Sequence, residues 1–207
     1  MSMINNETLC FQRLESCQDF LRNPNNVGQR GVYIWGFKFF DNKTAVASEF
    51  LPYYVGKHLV NIHRRIQEHV RDIREGGHRI LLKERFLEKD CYKYFSYNKY
   101  SINDYAYIKT DGRTKKELNH HEYISMLPHI NNYIDNLFVT YLSINNLCMP
   151  SDVEKIYINS LEKYVQERVV GLDRLISRSG NKYPESFHPS LMPGEGTEHL
   201  FRDKKLI

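Results

Sequence analysis

Two tyrosines, a lysine, an arginine and a histidine (Tyr33, Tyr54, Lys57, Arg65 and His69) fall within one stretch of the chain, Gly31 to His69. These types suit an anion. Phenols and an imidazole donate or relay protons, an ammonium is a point charge, and the planar donors of a guanidinium match a phosphate. The run GVYIWGF (Gly31 to Phe37) alternates Val32 and Ile34 with Tyr33 and Trp35, the period of a half-buried strand. The run YYVGKH (Tyr53 to His58) alternates Tyr53 and Val55 with Tyr54 and Gly56. Asp41-Asn42-Lys43 between them is turn chemistry, so the two runs are expected to pair antiparallel, with Phe37 to Pro52 as an extended hairpin connection. That pairing would turn Val32, Ile34 and Val55 inward and leave Tyr33 and Tyr54 sharing the other face. A helix should follow. Ile62, Ile66, Val70 and Ile73 share one side of it, Asn61 is placed as its N-cap and Gly76-Gly77 as its stop. Arg65 and His69, four apart, are neighbours on that helix.

This constellation resembles the GIY-YIG nuclease family. The family's first triplet reads Gly31-Val32-Tyr33 here and its second Tyr54-Val55-Gly56, with Lys57 directly after as in many members. The helical arginine followed four residues later by histidine matches Arg65 and His69. The connection between the two tyrosines is longer than in the shortest members. The resemblance implies an α/β (α+β) fold, a small three-stranded mixed or antiparallel sheet flanked by helices, with an N-terminal helix and an internal insertion as additions. It implies a divalent-metal-dependent endonuclease that hydrolyses phosphodiester bonds. It also implies a metal-binding glutamate on the helix after the third strand, commonly preceded by leucine, the place that Leu161-Glu162 occupies. Asn181, in Ser179-Gly180-Asn181, stands where many members carry an active-site asparagine. In some members the residue matching Tyr33 is the base or the orienter of the attacking water. A free phenol has a pKa near ~10, so that role requires Lys57 and Arg65 to favour phenolate character. Tyr54 and His69 would hold the scissile phosphate or relay protons, and Arg65 would clamp it. The expected catalytic set is thus Tyr33, Tyr54, Lys57, Arg65, His69, Glu162 and Asn181. One Mg²⁺ or Mn²⁺ per site on Glu162 suits hard oxygen ligation, since no thiolate or paired-histidine spacing points to zinc.

The remaining chain is expected to support that module as a single domain. Its length allows a sizeable core, and 41% hydrophobic with 26% charged residues is ordinary for a soluble globular protein. Residues 1–27 read as an N-terminal helical extension, with a helix over Glu7 to Leu21. Residues 28–90 hold the hairpin and basic helices, the second of them Arg79 to Lys89. Residues 91–136, rich in tyrosine and lysine and with a short helix at Lys115 to Met126, read as an insertion that contributes to substrate choice. Residues 137–181 hold the third strand, Leu137 to Ile144, and an amphipathic helix from Val153 to Val170. Ile156, Leu161, Tyr164 and Val165 supply the inner face of that helix, and Glu154 and Glu167 face solvent. Glu162 lies among the apolar positions, where a carboxylate is costly to bury without a partner. Glu122 is the competing carboxylate, but it precedes the third strand. Residues 182–207 read as a tail that wraps, makes a dimer contact or lacks order.

The net charge of +4 is matched by one region, Lys57 to Arg85, where eight lysines and arginines face four acids. Lys57, Arg64, Arg71 and Arg74 are therefore the expected DNA-binding residues, and double-stranded DNA the expected partner. Cutting both strands needs two cleavages, which a homodimer or homotetramer would supply. The four cysteines show neither metal-ligand spacing nor a disulfide framework, no leader opens the chain, and no apolar run approaches membrane-spanning length. The expectation is a cytoplasmic restriction-type endonuclease that does not engage a membrane. The alternatives are a phage or repair nuclease with loose or structure-based specificity, and a catalytically inert nucleic-acid-binding protein on the same scaffold. Taken singly, each of these residues is an ordinary strand or helix residue. Their order and spacing carry the reading.

Overall fold

The computed structural model describes residues 8–38, 50–74, 131, 134–169, 187 and 189–201. The turn at Asp41-Asn42-Lys43, Gly76-Gly77, the helices at Arg79 to Lys89 and Lys115 to Met126, Glu122 and Asn181 lie outside the described residues. The chain divides into two compact units. One comprises Met1–Lys38, Phe50–Arg65 and Leu137–Ile207, and the other Phe39–Glu49 and Ile66–Asn136.

The first unit is mixed α/β. Its main sheet has four strands in the order β2-β5-β3-β4, where β2 is Glu15–Ser16, β3 Gly31–Phe37, β4 Leu51–His58 and β5 Leu137–Ser143. Every pairing is antiparallel. The expected third strand therefore exists and lies beside β3, opposite β4, and β2 extends the sheet to four strands rather than three. All seven residues of β3 are buried, as befits a central strand rich in β-branched and aromatic residues. A long helix, α3 (Ser151–Arg168), covers one face. Val32, Ile34, Val55 and Leu142 from the sheet share a core with Ile158, Leu161 and Val165 from this helix. Each such aliphatic side chain, fully withdrawn from water, stabilises the fold by about 1.5–3 kcal/mol.

Two expectations for α3 are corrected. Ile156 is 59% exposed, because it lies two residues, or about 200°, from Ile158 around the helix. Glu154 is buried rather than solvent-facing, and its Oε2 accepts from Arg30 Nη1 at 3.0 Å. Glu167 is exposed, as expected.

The opposite face of the hairpin is aromatic, and a β-bulge enlarges it. Trp35 faces Tyr54 while Gly36 faces Pro52, so Tyr53 is an extra residue on β4. Simple alternation would place Tyr53 with Val55. The bulge instead turns it toward Trp35 and Phe37, at ring-centroid distances of 5.0 Å and 5.9 Å.

The N-terminal segment also departs from expectation. The helix expected over Glu7 to Leu21 is confined to α1 (Cys17–Arg22), capped by Ser16, whose Oγ accepts from the Asp19 amide at 3.1 Å. Ahead of it, Leu9 and Phe11 are buried between exposed Thr8, Cys10 and Gln12, a period of two that makes a strand. This strand, β1 (Thr8–Cys10), pairs in parallel with β6 (Ser190–Met192). The described part of the C-terminal tail therefore wraps back on the core and buries Leu191, Thr197 and Leu200.

Helix α2 (Ile62–Arg74) begins in the first unit and ends in the second. Its buried positions are Ile62, Ile66, His69 and Ile73, so His69 takes the place expected of the half-buried Val70. Among the described residues no helix is long and apolar enough to cross a membrane.

Candidate active site

The glycines of the two triplets have separate physical reasons to be glycine. Gly31 has φ of +141°, and a Cβ there would overlap the Leu142 carbonyl oxygen on β5. Gly56 faces Tyr33 across the hairpin. A Cβ at Gly56 would overlap the Tyr54 ring and stand 2.5 Å from the Tyr33 hydroxyl oxygen. The Tyr33 phenol thus lies across Gly56, with its hydroxyl over β4, the edge strand of the sheet. Tyr54 lies beside it, ring centroids 6.2 Å apart.

The turn after β4 brings the cations. His58 Nδ1 accepts from the backbone N–H groups of Val60 at 3.2 Å and Asn61 at 2.7 Å. Asn61 Oδ1 then accepts from the Arg64 amide at 3.2 Å, and the Ile62 amide donates to the Gln29 carbonyl at 2.7 Å. Three side-chain acceptor contacts and one backbone bond therefore pin the strand-to-helix junction. Lys57 stands just before that junction and Arg65 in the first turns after it. Arg65 donates a side-chain hydrogen bond to Tyr33.

The carboxylate comes from α3. Glu162, with its side chain 8% exposed, accepts through Oε2 from Lys57 Nζ, whose own side chain is 27% exposed. One turn later Gln166 donates to the Val55 carbonyl at 3.4 Å. Gln166 thereby meets a backbone acceptor of β4, and Glu162 a side chain of the same strand.

The structure thus brings Tyr33, Tyr54, Lys57, Arg65 and Glu162 to one place at the β4 edge. His69 is buried one turn beyond Arg65 on α2, in the second unit. Arg64, Arg71 and Arg74 lie exposed along α2, Arg71 with Asp72 at 3.8 Å. Asn181 lies outside the described residues. His58 and Gln166 were not anticipated. His58 precedes a short turn into a helix, which was the available signal, but imidazole is a rare cap and the pattern alone names Asn61.

Electrostatics revise one role. Burial pushes the Tyr33 phenol far above its ordinary range, Tyr54 and Glu162 add to the rise, and the charge and hydrogen bond of Arg65 oppose it without prevailing. Tyr54 is also raised, by burial first and by Glu162, again against Arg65. The requirement that Lys57 and Arg65 make Tyr33 a phenolate is therefore not met. Lys57 is directed at Glu162, and a desolvated phenol keeps its proton.

Among the described residues no three His, Cys, Asp or Glu side chains group to hold a metal ion. The donors at the β4 edge are one carboxylate and two phenols, hard oxygens without a thiolate. That set fits a small divalent cation that keeps most of its waters. No known family model matches the chain, and neither do curated proteins or solved structures.

Proposed function

We propose that this chain is a GIY-YIG-type, divalent-metal-dependent DNA endonuclease that hydrolyses phosphodiester bonds, with sequence-specific double-strand cleavage of restriction type. One observation carries the reading. Five side chains of the right chemistry converge at the β4 edge from three separate parts of the chain: the hairpin, the start of α2 and the middle of α3.

The residues divide the work as follows. Arg65, which donates to Tyr33, would clamp a non-bridging phosphate oxygen through its planar guanidinium. Tyr33 is a neutral phenol that accepts from Arg65. A protonated phenol can orient an attacking water but is a poor base for it, so Tyr33 would position the nucleophile rather than deprotonate it. Tyr54 donates to the same phosphate. Glu162 would hold Mg²⁺ or Mn²⁺, which when bound supplies charge relief at the leaving oxygen. Lys57 adds positive charge where the pentavalent phosphate gathers negative charge. The exposed Arg64, Arg71 and Arg74 on α2 suit contacts with the DNA backbone, which position a duplex without reading its sequence. A homodimer or homotetramer would deliver the second strand cut.

Supercoiled plasmid incubated with the purified chain tests this. Nicked and then linear DNA is expected with Mg²⁺ and neither with EDTA, and sequenced ends should share a common motif. Scattered ends would replace restriction-type cleavage with a nuclease of loose specificity. The inert DNA-binding reading is favoured by a specific feature, the Lys57 ammonium seated on Glu162. Binding without cleavage in both Mg²⁺ and Mn²⁺ would establish it instead.

A further inference from the structure

The Lys57–Glu162 pair is unlike an ordinary surface salt bridge. Glu162 is nearly buried, and among the described residues its one hydrogen bond goes to the Lys57 ammonium. The same carboxylate raises the proton affinity of Tyr33 and Tyr54, so it stands within electrostatic reach of both phenols. Arg65 is committed to Tyr33 by a planar guanidinium. Lys57 differs in kind: its ammonium ends a flexible four-carbon stem and is partly open to solvent. Of the two cations, it is the one that can change partner.

We propose, building on the nuclease reading, that Lys57 is a built-in counter-ion that keeps Glu162 closed to a divalent cation until a phosphodiester draws the ammonium away. The charge pattern requires this order. A divalent ion entering without an anion would set a doubly charged ion and the Lys57 ammonium against one largely buried carboxylate, with Arg65 held on the neighbouring phenol, and like charges so placed repel strongly. A phosphodiester supplies the missing negative charge and gives the Lys57 ammonium a second acceptor. The Lys57 stem then reorients, Glu162 Oε2 is released, and carboxylate and phosphate together present oxygens to the cation. By linkage the effect is reciprocal: DNA raises cation affinity by the factor by which the cation raises DNA affinity. No covalent bond changes in this exchange.

The test reads cation binding directly rather than cleavage. Mn²⁺ is titrated into the full chain and followed by the paramagnetic resonance of the free ion, with and without a short DNA duplex. Glu162→Gln treated in the same way removes the contribution of ions held by the DNA. Wild type without DNA should bind Mn²⁺ weakly, and Lys57→Met or Lys57→Gln should bind on the order of tenfold more tightly, within the usual range of coupling between sites. Duplex should tighten Mn²⁺ binding in wild type by a clearly larger factor than in the Lys57 variants, where only the added phosphate oxygens contribute. Met and Gln replace the ammonium with side chains of different polarity, so one variant carries the comparison should the other fail to fold. Equal Mn²⁺ affinity in wild type with and without duplex, or in wild type and Lys57 variants, overturns the counter-ion role while leaving the metal site and the nuclease reading intact. No binding above the Glu162→Gln background in any chain, with or without DNA, overturns both.

Discussion

Helix α3 carries two buried carboxylates, Glu154 and Glu162, two turns apart, and each meets a cation from the sheet side. Residue type, helix and burial are nearly the same, yet the surroundings differ. Glu154 meets Arg30, the residue before β3, whose amide donates to Asn145 Oδ1 at 3.1 Å while Asn145 Nδ2 donates to the Gly28 carbonyl at 3.2 Å. Among the described residues, no phenol with raised proton affinity has Glu154 among its causes. That end of the helix is a pin between α3 and the loops leading to the sheet. Glu162 instead meets a partly exposed ammonium, near two phenols and a guanidinium. Two carboxylates of like burial on one helix therefore differ in what surrounds them, and only Glu162 has the neighbours that the proposed chemistry needs.

The comparison breaks most sharply at Glu162. Glu162→Gln keeps an acceptor for Lys57 but loses the charge, so plasmid cleavage should fall on the order of a thousandfold. DNA affinity in a gel-shift assay run in EDTA, where no divalent ion couples to binding, should change by less than about threefold. Near-normal cleavage would remove Glu162 from the site. Arg65→Ala comes next, with a drop of about a hundredfold in turnover and little loss of binding, because the clamp acts mainly on charge that develops during the reaction.

The contrasting outcome is expected at Glu154. Glu154→Gln should lower stability in urea by about 1–2 kcal/mol, a modest figure because Arg30 is partly exposed. Cleavage per folded molecule should be unchanged. A loss of cleavage with intact stability would make the two carboxylates functionally alike and dissolve the distinction. The β4–α2 junction sharpens it further. His58→Leu leaves two backbone donors without their acceptor and should cost about 1–2 kcal/mol. His58→Asn, which places an oxygen near the former Nδ1, should restore most of that in the same urea measurement.

The smallest effect is on alkaline stability. Burial pushes the Cys17 thiol up to about 12 and raises Tyr33, Tyr54 and Tyr141. These groups keep their protons in the folded chain at a pH where the unfolded chain loses them, so the unfolded chain binds fewer protons there. Stability should hold at neutral pH and fall as pH rises above about 9, by up to ~1.4 kcal/mol per pH unit for each such group. Tyr33→Phe removes one contribution, and urea midpoints between pH 8 and 11 should show a shallower decline than wild type. An unchanged slope would mean that the Tyr33 phenol titrates normally.

Much of the sheet was legible because local rules govern it. Alternation in Val32 to Trp35 marked β3, the β-branched run at Leu137 marked β5, and the isoleucine spacing with Asn61 marked α2. The departures occur where non-local partners decide. Leu9 and Phe11 suit a loose helix or a short strand equally, and β6, nearly the whole chain away, supplies the pairing that selects the strand. Tyr53 changes face through a bulge that alternation cannot foretell. Glu154 is buried because Arg30 waits for it.

By itself the sequence determined the elements that carry Tyr33, Tyr54, Lys57, Arg65 and Glu162, since period, cap and turn chemistry act over a few residues. Only the tertiary structure decided that α3 lies along the β4 edge so that Glu162 reaches Lys57, and that Tyr33 crosses Gly56 toward Arg65. It also decided that burial raises the proton affinity of both phenols. Those outcomes depend on desolvation and on charges from distant segments, which exist only once the chain has closed around them.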